Sequence, residues 1–229
     1  MPVEVQSAFW AATTVGVYLL SVALHRRHPR WWTSPLLATW APCLVLALAL
    51  HTPYHTYIGG THWLLTMLGP ATVAFAMPIY EQRRLIRRYW PALLIGVVAG
   101  SAIAFVSSWL LASAFGLSPA LRLSLLPRSV TTPFALAFAK DVGGIPELTA
   151  TCVVVTGLLG ASLGEVLISW LPLRSAFARG VLFGMGAHAV GTAKAREIGD
   201  VEGSVAGLTM ISAGLASVVV APILAIFLR

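Results

Sequence analysis

The chain has 229 residues, of which 58% are hydrophobic and 10% charged, and its net charge is +7. Its mean hydropathy is +0.84 and its pI is near 10.1. A soluble domain carries about 25% charged residues, so a fully solvated surface is excluded. The basic excess does not describe a nucleic-acid binder either, because the arginines sit in short clusters beside apolar runs, where they report membrane orientation.

A membrane helix needs about 20 mostly apolar residues to cross roughly 30 Å of hydrocarbon. Runs of that kind fall at 6–24, 34–51, 62–80, 90–116, 147–171, 176–194 and 204–228, with a shorter, weaker one at 121–140. They predict an all-α integral membrane protein: one polytopic helix bundle over 1–229, with seven to eight membrane elements. Glu4 stands where a secretory signal would carry Lys or Arg, and no small-residue cleavage site follows, so the first run is expected to stay as a span. Trp31, Trp32, Trp63, Trp90 and Trp170 fall near span ends, at the headgroup level that indoles prefer. Cys43 and Cys152 lie inside apolar runs without CxxC or Cys/His spacing and read as small buried hydrophobes. No cofactor or metal is expected.

Arg26, Arg27 and Arg30 follow the first span, and Arg83, Arg84, Arg87 and Arg88 follow the third. The segment between them from His51 to His62 has no Lys, Arg, Asp or Glu. The positive-inside rule makes both arginine loops cytoplasmic and the N-terminus external. Beyond residue 120, orientation depends on whether 121–140 crosses or dips in and returns. A re-entrant element would invert the second half of the chain relative to the first. Small residues recur at four-residue spacing in Gly96/Gly100, Gly160/Gly164, Gly180/Gly184 and Gly203/Gly207, which suits close helix approach in lipid.

Three interruptions carry chemistry, since backbone left unpaired in hydrocarbon costs several kcal/mol. The first is Leu68-Gly69-Pro70-Ala71-Thr72. It reads either as a kink at Pro70 or as a discontinuous helix placing Pro70 and Thr72 at a binding site. The second is Leu126-Pro127-Arg128-Ser129-Val130-Thr131-Thr132-Pro133. A helix starting there would aim free amides and its positive dipole end at an anion. Ser129, Thr131 and Thr132 would donate hydrogen bonds and Arg128 would supply countercharge; the alternative is an external loop with a snorkelling arginine. The third surrounds His188, with Gly184, Gly186, Gly191 and Thr192 nearby. Intramembrane histidine points to function, against a satisfied structural histidine. Glu165 stands alone in an apolar run and is expected to be protonated, paired or facing water. Glu197, Asp200 and Glu202 with Lys194 and Arg196 read as a solvated, partly self-paired loop, with the alternative for Glu202 that it opens the last span and favours that helix's N-terminus.

These same segments resemble the LrgB/CidB family. The resemblance rests on Gly69-Pro70-Ala71-Thr72-Val73-Ala74 with Pro78-Ile79-Tyr80, on 126–133, on Gly143-Gly144-Ile145-Pro146-Glu147-Leu148-Thr149-Ala150, and above all on Ala187-His188-Ala189-Val190-Gly191-Thr192-Ala193. It covers residues 60–225. It implies two functions. Bacterial members are antiholin-like proteins affecting murein hydrolase export and autolysis, often with a small LrgA/CidA-type membrane partner. A plastid member moves glycolate and glycerate, and related systems handle pyruvate. The family commonly has lysine where this chain has Arg128, and no acid at the place of Glu165. No LrgA-like half is fused to the chain, so such a partner would be a separate protein.

The leading expectation is therefore a secondary carrier of small monocarboxylates such as glycolate, glycerate, pyruvate or lactate. It would sit in the bacterial cytoplasmic (inner) membrane as a homo-oligomer. The alternative is a holin/antiholin-like regulator. An enzyme is not expected, because no intramembrane nucleophile–base pair and no HExxH motif is present.

Overall fold

A computed structural model of the chain describes residues 3–28, 33, 35–67, 70, 73, 76–81 and 83–228. Arg30, Trp31, Trp32, Leu68, Gly69, Ala71 and Thr72 lie outside the described residues. Every element among the described residues is helical, as long apolar runs require where backbone polar groups must be paired within the segment. Packing divides the chain into two compact units, Met1–Ala71 and Thr72–Arg229.

In the first unit α1 (Val3–Arg27) packs against α2 (Pro35–Ala49) and α3 (Tyr54–Thr66). Gly60 permits the closest approach: a Cβ there would lie 2.5 Å from the Ser7 carbonyl oxygen. Trp10 is buried with its ring edge-on to Tyr57 at 5.1 Å, and the Tyr57 and Thr14 hydroxyls are 3.1 Å apart. Two predicted spans differ here. The run at 34–51 folds as the 15-residue α2, about 22 Å long at 1.5 Å per residue. The run at 62–80 is not one helix, since α3 starts at Tyr54 and stops at Thr66. Pro70, which has no amide to donate, follows shortly after.

The second unit holds α4 (Ala76–Glu81), α5 (Arg83–Ala114), α6 (Pro119–Leu125), a 3-10 turn (Leu126–Ser129), α7 (Thr132–Val142), α8 (Pro146–Trp170), α9 (Ala176–Ile198) and α10 (Asp200–Leu228). Among the described residues four helices are long and apolar enough to cross a membrane: α1, α5, α8 and α10. Along the second unit, α5, α8 and α10 run from one end to the other in alternating directions. The end where α5 begins is called the arginine end below.

The segment 121–140 does not cross; it turns back. The Ile145 amide donates to Ser124 Oγ at 2.7 Å, and the Thr149 hydroxyl donates to the Ser124 carbonyl at 2.9 Å. The start of α8 thus lies beside α6. The prolines at 127 and 133 and the extended Val130 make the reversal, and α6 and α7 form the arms of a first hairpin. It enters from the end opposite the arginines. Leu126, Phe138 and Val142 pack on Ala221 of α10, and Val130, Phe134 and Ala135 pack on Val153 of α8.

The segment 176–194, predicted to cross, also turns back. His188 has φ 40° and ψ −120°, which splits α9 into two arms. Beyond this break Gly191 faces the Phe183 carbonyl so closely that a Cβ would collide with it, and Phe183 packs on Ala195. A straight helix would hold residues eight apart about 12 Å from each other along its axis. This second hairpin enters from the arginine end, where Phe177 stacks on Tyr89 of α5 at 4.7 Å. Both late basic loops, 171–175 and the one at Gly199, consequently fall at the arginine end.

Every predicted small-residue pair meets a neighbouring element. Gly96 and Gly100 face Val181 and Met185, Gly160 and Gly164 face Gly186 and Phe183, Gly180 and Gly184 face Val205 and Ala206, and Gly203 and Gly207 face Arg196 and Thr192. Ion pairs hold the base of the second hairpin. Arg179 reaches Glu202 at 2.7 Å, and Lys194 reaches Glu165 at 2.6 Å and Glu197 at 2.8 Å. Glu165 therefore has a partner on the neighbouring arm. Glu202 is 6% exposed and helical, not part of a solvated loop.

Candidate functional site

The order of contacts along α10 works as a depth scale. From the arginine end, Val205 meets Gly180, Ala206 and Thr209 meet Gly184, Met210 meets Thr192, and Gly214 meets the Phe134 ring. Ala221 then meets Leu126 and Phe138. The tips of the two hairpins therefore come together opposite residues 210–214, the middle of α10. Gly157 marks the same depth on α8, because a Cβ there would lie 3.3 Å from the His188 ring.

Two of the three interruptions converge at this level. The Arg128 main-chain carbonyl faces the His188 imidazole across the junction. Arg128 is half-buried and donates from Nε to Ser108 Oγ of α5 at 2.8 Å. Among the described residues no carboxylate pairs with it; the pairs Arg179–Glu202, Lys194–Glu165 and Lys194–Glu197 lie at the base of the second hairpin. Ser129 and Thr132 are half-buried and Thr131 is 6% exposed. Thr131 caps α7 from an extended backbone, and its carbonyl receives the Phe134 and Ala135 amides at 3.1 and 3.0 Å. The Thr131 and Thr132 amides stay outside that ladder, at the positive end of the α7 dipole.

On the other tip His188 is 3% exposed, and its Nε2 is buried without a hydrogen-bond partner among the described residues. The Thr192 hydroxyl donates to the His188 carbonyl at 2.8 Å and touches Met210 Sδ at 3.9 Å. Gly191 is there because the two arms touch at that point, leaving no room for a side chain. The second arm of α9 begins at Ala189, so it aims another helix N-terminus at the junction. Pro70 is helical and exposed in the first unit, and Thr72 lies outside the described residues.

Ser108 and Gly157 also belong to this junction and are not evident from the sequence. Ser108 is one of four serines in a long apolar helix, and Gly157 is one small residue among many.

Three through-helices and two opposed hairpins whose tips meet at mid-depth define an all-α membrane protein with broken helices. The model of the LrgB-like family matches residues 14–227, and the chain belongs to that family. It is 41% identical to YwbG of Bacillus subtilis over 94% of this chain and 96% of that one. It is 32% identical to the antiholin-like protein LrgB of Bacillus subtilis over 74% of each chain. Against the holin-like protein CidB of Staphylococcus aureus it is 29% identical over 96% of each chain. No solved structure matches it.

Proposed function

We propose that the chain is a carrier of small organic anions, of the monocarboxylate class, which bind where the two hairpin tips meet. One observation carries this reading: Arg128 has no carboxylate partner among the described residues, and its main-chain carbonyl faces a buried imidazole with an unpartnered nitrogen. An uncompensated charge inside a bilayer is costly, and an anion seated on Arg128 supplies the missing partner. Helix N-termini of broken helices are suited to carboxylates for the same electrostatic reason. Ser129, Thr131, Thr132 and Thr192 complete the hydroxyl lining. Binding and translocation need no catalytic group, so the chain is not an enzyme.

The arginine end is cytoplasmic in this reading. It carries Arg83, Arg84, Arg87, Arg88, Arg174, Arg179, Lys194 and Arg196, whereas Arg122 and Lys140 lie toward the other end; basic residues concentrate on the cytoplasmic side. Applied separately to the arginine loop that follows α1, the same rule makes the N-terminus external, and the membrane is the bacterial inner one. The carrier works as a homo-oligomer.

The test is uptake by liposomes holding the purified protein. Labelled glycolate, glycerate, lactate or pyruvate should enter saturably while a neutral solute of equal size stays out. Leak of all small solutes alike would overturn the carrier.

The relatives' names, antiholin-like and holin-like, favour a second reading, a holin/antiholin-like regulator; in that reading it would control murein hydrolase export together with a separate small LrgA/CidA-like membrane protein. General leak together with altered autolysis on deletion would support it. Anion export and lysis control are compatible if the exported acid sets the state of the envelope.

A further inference from the structure

We propose that the exposed arginine face of α5 binds the phosphate headgroup of an anionic phospholipid at the base of the second hairpin. Arg83, Arg84, Arg87 and Arg88 are all exposed and occupy the first two turns of α5. The four-residue intervals put Arg83 above Arg87 and Arg84 above Arg88 in two adjacent rows. Among the described residues none of the four is in an ion pair. Glu81, the acid nearest in sequence, leaves the segment with three uncompensated positive charges.

The helix gives these charges no internal relief. Its first turn contains no acidic residue, so four cations gather at the positive end of its dipole, an arrangement that destabilises a helix unless an anion is present. Orientation alone would be satisfied by lysines in a loose loop. Here the charges are guanidiniums, whose planar forks match phosphate oxygens, and they are fixed on a helix. Arg83 lies over the Tyr80 ring at 4.4 Å and donates to the Tyr80 carbonyl at 3.1 Å. Arg88 lies over the Tyr89 ring at 5.2 Å.

The depth is that of a headgroup. The same helix runs unbroken from Arg83 into its apolar stretch, with Trp90 exposed at the boundary, the place indoles take at a membrane surface. Tyr89 stacks on Phe177 at the start of the second hairpin, so a lipid held there abuts the element that carries His188. Clusters of basic residues just outside a span attract anionic lipids at a worth of about 1 kcal/mol per residue.

The experiment uses the full-length protein in mixed micelles holding equal phosphatidylglycerol and phosphatidylcholine, with retained lipid counted by native mass spectrometry. Phosphatidylglycerol should be retained in preference, and Arg84→Gln/Arg87→Gln should lower that retention about thirtyfold. Arg84→Lys/Arg87→Lys, which keeps the charge but not the fork, should lower it by a smaller factor. Lys140→Gln, at the opposite end, should leave it unchanged. Equal retention of the two lipids by the unmodified protein, or undiminished phosphatidylglycerol in either arginine variant, overturns the proposal.

Discussion

At the scale of single residues, Arg128 and His188 are held in ways that serve the junction more than the fold. His188 adopts a positive φ, a conformation that costs a bulky residue about 1–3 kcal/mol and is kept where the surroundings enforce it. The Arg128 side chain is positioned by its hydrogen bond to Ser108. Ser108→Ala should therefore loosen the guanidinium and raise the half-saturation concentration for labelled carboxylate about tenfold, the worth of a hydrogen bond to a charged group. Ser107→Ala, whose hydroxyl only donates to the Ala104 carbonyl, should leave uptake unchanged. Equal kinetics in the two variants would remove Ser108 from the site. The residues of both tips stand out in sequence because Pro, Arg and His interrupt apolar runs. Ser108 and Gly157 do not, because their roles come from what lies opposite them.

At the scale of elements, glycine placement sets how closely the second hairpin nests. A Cβ on Gly160 would strike the Gly186 carbonyl, while a Cβ on Gly186 would meet nothing within 4 Å. Gly160→Ala should thus lower thermal stability in detergent by about 1–3 kcal/mol, and Gly186→Ala should stay within about 0.5 kcal/mol. Melting curves check both, and equal midpoints would contradict the nesting. The small-residue spacing in the sequence already indicated close packing at Gly160/Gly164 and Gly180/Gly184. The reversal inside 176–194 was not legible, because the run is apolar and long enough to cross, and its turn is made by a histidine, with no proline to mark it. The reversal inside 121–140 left a mark, two prolines around hydroxyls, and re-entry was one of the two paths expected there. Span 62–80 misled for the opposite reason: its apolar residues are continuous, but the helix closes at Thr66.

At the scale of the whole molecule, two hairpins entering the second unit from opposite ends change the topology without changing the hydropathy. With Cys43→Ala/Cys152→Ala as background, cysteines at Leu173 and Glu197 should both label from the cytoplasmic side, and one at Lys140 from the other side. Labelling of positions 173 and 197 from different sides would mean that α9 crosses. The sequence alone placed the late basic residues in two loops of uncertain side; bringing them to one end lets their charge report orientation.

The central claim is that an anion crosses by pairing with Arg128 between the hairpin tips. The most direct measurement is the initial rate of labelled monocarboxylate uptake into liposomes by the unmodified protein, Arg128→Lys and Arg128→Gln at equal reconstitution. Arg128→Lys, which retains the charge, should keep measurable saturable uptake. Arg128→Gln should lose at least about tenfold, as expected for removing a half-buried charged partner. Saturable uptake by Arg128→Gln at the unmodified rate would contradict the account.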